Sequence, residues 1–423
     1  MKTGLVLAGG AARGAWEAGV VSYLRDELPR RTGVHVPIDI LTGASVGAIN
    51  ACFLAGTQED PASQGRRFVE TWRALKLEDV LRFGVSDVFR VFREAFGKKP
   101  VRWGRGRHGG LVNPVGLEAF VGKRIPWLQI GRNIRAGVVQ GLAVTATHVV
   151  SGRTQVFVQR PQGGVPGWSQ DEHVAAGAAR IGPKHALASA AIPVLFPAVS
   201  VGGHMYVDGG LRQNVPLSPA LRLGAQRVIV LSLRHVPEGA QIRPDQFTPE
   251  ELEHKAGSAP FLVGKALNAL MLDHTEADLN RLRRLNGLIE AGTTAYGNDF
   301  TSVLNTALLP TRKQALRYVR NILLRPSRDL GEVAGEYLRS SEFQRRATGL
   351  AGRWMLRLRD SDGEGDSDLA SYLLFDGGFA DRLIDLGRSD ARRVEAQWVH
   401  FFSADPHCDA EAAYFAEVAR AGN

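Results

Sequence analysis

Hydrophobic and polar positions follow two rhythms along this chain. Thr3 to Ala8 is a continuous apolar run of strand length and reads as a short buried strand. After a glycine turn, Ala15, Val20, Val21 and Leu24 recur at helical spacing toward Leu28, and Pro29 is expected to end that helix. Val36 to Thr42 predicts a second strand, interrupted by Asp39, and Ala48 to Leu54 begins another helix. The order strand, glycine turn, helix, strand, serine turn, helix predicts an α/β fold with a mostly parallel sheet. Val138 to Thr147, Thr154 to Gln159 and Arg227 to Leu233 are further strand candidates, the last following a helix-like Pro219 to Leu223. The sheet is therefore expected to continue to about residue 235.

Beyond that point the texture changes. Residues 250–292 are charged and helical in rhythm, with Leu267, Leu270 and Met271 followed by Leu279, Leu282 and Leu285. Residues 311–360 continue the helical tendency. Asp360 to Asp366 is acidic and glycine-containing, as in an exposed loop, and apolar spacing resumes from Ala370. The expected division is an α/β domain over 1–235 and a mainly helical C-terminal extension over 236–423, partly packed on it. A length of 423 residues accommodates both.

Composition narrows the chemistry. Cys52 and Cys408 are the only cysteines, which excludes a disulfide framework and argues against a thiolate metal cluster. Cys52 lies in an apolar stretch and reads as buried filler. The net charge of +9 is concentrated: between Arg82 and Arg135, twelve Lys or Arg residues face only Asp87, Glu94 and Glu118. Such a surface suits phospholipid headgroups, nucleic acid or an acidic protein, or is simply a solvated face. Within it, Ser86 and Asp87 can cap a helix that places Phe89, Phe92 and Phe96 on one stripe, flanked by Arg90 and Arg93. That stripe reads either as core packing or as a membrane-facing lid. Arg102, Arg105, Arg107 and His108 fall in a glycine-rich tract with no zinc finger or RNA-binding pattern, so nucleic acid is not expected. The apolar N-terminal stretch is broken by Arg13 and Glu17, unlike a signal peptide, and no run of eighteen apolar residues predicts a spanning helix. The expected location is cytoplasmic, peripheral to the membrane, with export without a cleaved signal as the other route.

Two turns carry the candidate chemistry. Gly9-Gly10-Ala11-Ala12-Arg13-Gly14 can bring backbone N–H groups close to a ligand at the start of a helix. It can stabilise an oxyanion, bind a phosphate or serve as a tight turn. Its glycines have the wrong spacing for a dinucleotide site, and no Gly-Lys-Ser/Thr ending marks an ATP phosphate loop. The second turn, Gly43-Ala44-Ser45-Val46-Gly47, has the composition of a sharp strand-to-helix turn that lifts one hydroxyl above a sheet. Ser45 needs a proton acceptor. His204, His400 and His407 lack a decisive local setting. Asp208-Gly209-Gly210 follows Met205-Tyr206-Val207 and puts a carboxylate at a strand end, although an ordinary pKa near ~4 makes it a weak base unless its surroundings are dry.

Together these elements make the chain resemble the bacterial patatin-like phospholipases, the patatin-type lipid acyl hydrolases. The matching motifs are Gly9 to Gly14, Gly43 to Gly47 and Asp208 to Gly210, with Ser189-Ala190-Ala191-Ile192-Pro193 similar to the segment before the family's aspartate. The resemblance covers about residues 3–235 and implies a three-layer α/β/α fold with a mostly parallel central sheet. It implies a Ser45–Asp208 dyad, with an oxyanion hole of N–H groups from Gly10 and Ala11, aided by Ala12. Arg13 would organise the loop or meet anionic substrate. The family's usual third glycine is Ala11 here, which keeps the N–H but is strained at positive φ. The implied substrate is a phospholipid, lysophospholipid or other acyl ester, met during transient contact with an anionic membrane, and no cofactor or metal is called for. The alternatives are a short-chain carboxylesterase or acyltransferase, and a membrane-associated interaction protein without turnover.

Overall fold

A computed structural model describes residues 1–80, 113–168, 172–193, 195–236, 275–312, 315–347, 349, 351–353, 355–356 and 364–403. The Phe89/Phe92/Phe96 stripe with Arg90 and Arg93, the Arg102–His108 tract and His407 lie outside them. Among the described residues, nine strands form one sheet: β1 (Thr3–Leu7), β2 (Ile40–Ala44), β3 (Gly141–His148), β4 (Thr154–Gln159), β5 (Val174–Ala178), β6 (Val199–Val201), β7 (His204–Asp208), β8 (Arg227–Leu231) and β9 (Arg320–Leu324). Their main order is β5-β4-β3-β2-β1-β8-β9. The run from β3 through β2, β1 and β8 to β9 is parallel, whereas β4 and β7 pair antiparallel with β3. β1 and β2 are buried along their whole length, the mark of strands covered on both faces.

Helices α1 (Ala15–Ser22) and α2 (Leu28–Thr32) follow β1; α3 (Val46–Thr57), α4 (Pro61–Arg73) and α5 (Leu77–Val80) follow β2. α6 (Val115–Arg124) and α7 (Trp127–Arg135) lead to β3, α8 (Pro183–Ser189) precedes β6, and α9 (Leu217–Arg222) precedes β8. α10 (Thr275–Tyr296) and α11 (Phe300–Arg312) lead to β9. After it come α12 (Leu330–Arg339), α13 (Ser341–Arg346), α14 (Glu364–Leu373), α15 (Gly377–Arg393) and α16 (Glu395–Phe402). The result is the mixed, mostly parallel α/β/α architecture that the sequence predicts. No helix of the described residues is long and apolar enough to cross a membrane.

Three local expectations need correction. Pro29 does not end the first helix. A π-helical stretch, Tyr23–Glu27, resets the hydrogen bonding, and Pro29 then sits in the first turn of α2, where its missing N–H costs nothing. The second strand begins at Ile40, not Val36, because Pro37 cannot donate to a ladder. Finally, the sheet does not stop near residue 235. Arg320–Leu324, within a stretch read as helical, pairs in parallel with β8. Its Val319 N–H and carbonyl are closed by the side chain of Asn286 on α10.

The C-terminal helices belong to the same core. α1 is buried on all sides, which an apolar helix with only one charged residue tolerates if neighbours surround it. Its principal neighbour is α15: Trp16 Nε1 donates to Asp390 Oδ2 at 2.9 Å, and the same oxygen accepts from Ser327 N. Arg388, two residues earlier on α15, donates to Ser22 Oγ.

Candidate active site

Strand register brings the serine and the aspartate together. Ala44, the last residue of β2, lies opposite Thr145 of β3. The next residue of β3, Ala146, lies opposite Asp208 of β7. β7 thus takes up the edge of β3 where β2 leaves it, and Ser45 and Asp208 meet at that handover. Ser45 Oγ donates to Asp208 Oδ2 at 2.6 Å, with both residues buried.

The Ser45 turn is sharp and strained. Ser45 has φ 52° and ψ −126°, a conformation sparsely populated by residues with a Cβ. Neighbouring groups enforce it. Ser45 N–H donates to Ser189 Oγ at 2.9 Å, and that hydroxyl donates to the Thr145 carbonyl at 2.6 Å. A Cβ on Gly47 would stand 2.3 Å from the Leu7 carbonyl oxygen, so the N-terminus of α3 can press against the end of β1 only with glycine there. Ser189 was legible as part of a motif, but its hold on the nucleophile's backbone was not.

Besides Ser45, three groups fix Asp208. Its N–H donates to Ala191 O, its carbonyl accepts from Thr147 Oγ1, and Oδ1 accepts from Gly210 N–H at 2.7 Å. A Cβ on Gly209 would meet the Thr145 carbonyl oxygen at 2.2 Å, which explains the glycine after the aspartate. Burial pushes the Asp208 carboxyl up to about 7, against the lowering effects of the Ser45 and Gly210 hydrogen bonds. A carboxylate too acidic in water is thereby brought into the range of a base at neutral pH.

The first glycine turn lies beside Ser45. A Cβ on Gly9 would stand 3.0 Å from Ser45 Cβ, and one on Gly14 would collide with Val46. Residues Ala11–Gly14 form a 3-10 helix that runs into α1, and the first N–H groups of such a helix have no partner within it. Ala11 has φ 49°, the strained left-handed geometry anticipated for alanine in the glycine position, worth ~1–2 kcal/mol. The turn is held by Gly9 N–H donating to Asn214 O at 3.1 Å and by Arg13 N–H donating to Gly10 O at 3.0 Å.

Beneath it lies a buried carboxylate that sequence reading did not single out. Glu17 Oε1 accepts from Ala8 N–H at 2.8 Å, and Oε2 accepts from Asn50 Nδ2 at 2.7 Å. Asn50 Nδ2 also donates to the Gly14 carbonyl, so α3 and the turn are cross-braced. Burial pushes the Glu17 carboxyl up to about 8. Arg13 turns away from the serine toward α14. Its Nη2 pairs with Asp368 Oδ1 at 3.1 Å, which favours the loop-organising role over contact with an anionic substrate.

His204 and His400 stand elsewhere. His204, at the exposed start of β7, packs edge-on against His148, and His400 lies on α16. Cys52 is buried and its thiol is pushed up by burial, in keeping with filler. Among the described residues, no group of three His, Cys, Asp or Glu side chains could hold a metal ion.

The fold and these juxtaposed turns agree with the class of the lipid acyl hydrolases. The family model for patatin-like phospholipases matches residues 5–221, and the chain belongs to that family. Among solved structures the chain is similar to VipD from Legionella pneumophila, at 13% identity and a TM-score of 0.30, covering 91% of this chain and 67% of that one.

Proposed function

We propose that the protein hydrolyses carboxylic esters of phospholipids or lysophospholipids through a Ser45–Asp208 dyad and an acyl-enzyme. The observation that carries this reading is the 2.6 Å hydrogen bond from Ser45 Oγ to a buried aspartate poised near neutral pH. Asp208 takes the Ser45 proton as Oγ bonds to the acyl carbon, and the carbonyl electrons move onto the oxygen. N–H groups of Gly10 and Ala11, with Ala12, stabilise that oxyanion. As it collapses, the ester C–O bond breaks, and the proton on Asp208 passes to the departing alcohol or lysophospholipid. Water then attacks the acyl-enzyme, giving its proton to Asp208 and releasing the fatty acid; the proton returns to Ser45.

Approach to a lipid surface is supported by α6 and α7. Lys123, Arg124, Arg132 and Arg135 are exposed there, alongside an exposed Leu128. Basic groups beside an apolar one suit transient contact with an anionic bilayer.

The test compares wild type, Ser45→Ala and Asp208→Asn on phospholipid vesicles, lysophospholipid, triacylglycerol and a soluble ester. Fatty acid release from phospholipid or lysophospholipid, lost in both folded variants, is expected. Activity retained by Ser45→Ala would overturn the mechanism. Turnover of the soluble ester alone would point to a carboxylesterase, and inert wild type to an interaction protein.

A further inference from the structure

Arg13 is 8% exposed, yet its guanidinium carries no contact to either catalytic side chain. Every nitrogen is taken up by one turn of α14. Nε donates to Ser371 Oγ at 2.7 Å, Nη1 to the Tyr372 hydroxyl at 3.2 Å, and Nη2 to both Asp368 Oδ1 at 3.1 Å and the Asp368 carbonyl at 3.4 Å. The guanidinium carbon also sits 3.8 Å from the centre of the Tyr372 ring. Hydrogen bonds in several directions plus a stacked face fix a planar group far more tightly than one ion pair does.

This grip reaches the oxyanion turn directly. Arg13 closes the turn through its own backbone N–H to Gly10 O, across the strained Ala11. A conformation of that kind persists where the surroundings over-determine it. Two of its restraints, Asn214 O on Gly9 and the Glu17–Asn50 brace, come from the part of the chain matched by the family model. The third comes from residues 368–372, well beyond residue 221. α14 is itself anchored in the C-terminal layer: Gly331 at the start of α12 lies so close that a Cβ there would be 2.8 Å from Asp368 Oδ1.

We infer that Arg13 is a positioning residue through which α14 holds the oxyanion turn in shape, so that the catalytic apparatus is incomplete without residues 368–372. The inference rests on the proposed function for its kinetic consequence only. N–H groups that act on the oxyanion contribute chiefly in the transition state, so loosening them lowers kcat and leaves KM nearly unchanged.

The test uses the full chain with Arg13→Lys, Asp368→Asn and Ser371→Ala, the last being the mildest truncation. Two quantities are read in proteins whose thermal unfolding shows them folded. The first is amide hydrogen exchange, by peptide mass, over residues 8–16 and over the Ser45 turn. Exchange at least ~10-fold faster in the first segment and unchanged in the second is expected. The second is hydrolysis of a soluble ester, with kcat expected to fall ~10-fold or more for Asp368→Asn and KM to stay within about twofold. Arg13→Lys keeps the charge without the planar fork and is expected to fall between wild type and Asp368→Asn. Unchanged exchange at residues 8–16 in all folded variants would overturn the inference, whatever the ester kinetics show. Exchange faster at both turns alike would also overturn it, since that marks general destabilisation. An inactive wild type with the expected exchange pattern would count against the proposed function, not against the grip of α14.

Discussion

The Ser45 turn and the Gly9–Gly14 turn stand side by side, and each forces one non-glycine residue to positive φ, Ser45 at 52° and Ala11 at 49°. They are held by different means. The Ser45 turn is restrained at the end of the sheet, by Ser189 at the close of α8, the Thr145 carbonyl of β3 and the tight contact of Gly47 with β1. The first turn is restrained from outside it, by a buried carboxylate on α1, a backbone carbonyl near β7 and a helix more than three hundred residues away in sequence. The nucleophile's position is thus set by the sheet and by the one helix, α8, that closes on its end. The position of the first turn depends on how helices from both ends of the chain pack.

The largest expected effects separate chemistry from support. Ser45→Ala should reduce ester hydrolysis by ~10⁴-fold or more, measured as kcat/KM on a soluble ester. Asp208→Asn should cost ~10²–10⁴-fold, because the isosteric amide can hold Gly210 and Ser45 in place but cannot take a proton. Ala11→Pro strikes the other turn, removing a donor and forbidding positive φ, and about 10²–10³-fold in kcat should be lost. If Ala11→Pro left kcat intact in folded protein, the two turns would not share the work.

Smaller effects sharpen the contrast. Ser189→Ala leaves the buried Ser45 N–H without its acceptor and should destabilise the protein by ~1–3 kcal/mol, read from denaturant unfolding. Ala11→Gly should do the opposite, gaining up to ~1 kcal/mol by relieving the left-handed alanine, with kcat little changed.

The two buried carboxylates give a pH signature. Asp208 and Glu17 are both raised, to about 7 and about 8, so folding favours their protonated forms. Their contribution to stability is complete below about pH 4 and is lost as pH rises through 7 and 8. Asp208→Asn, which mimics the neutral acid, should therefore unfold at a higher temperature than wild type at pH 9, with the difference vanishing near pH 4.

Much of the site was legible because its signals are local. Glycines that permit close backbone approach, a serine between small residues and an aspartate before two glycines each reflect a contact made within a few residues or across one strand pair. Strand order could not be read that way, and the handover from β2 to β7 along β3 emerges only from register. β9 escaped notice because five residues at a sheet edge carry too weak a pattern amid helical neighbours. The anchoring of Arg13 was invisible for a different reason: Asp368, Ser371 and Tyr372 acquire meaning only once α14 is packed against the first turn.

The central claim is that Ser45 forms the acyl-enzyme with Asp208 as its base. Its most direct measurement is the pre-steady-state burst from a chromogenic ester, followed from pH 5 to 9 with mass detection of the acylated peptide. The account predicts a burst equal to the enzyme concentration, acyl mass on the peptide containing Ser45, and an acylation rate that rises with pH through an apparent pKa of about 7. In Asp208→Asn both the fast acylation and that pH limb should be lost. Acyl mass on another residue, or an unchanged limb in folded Asp208→Asn, would contradict it.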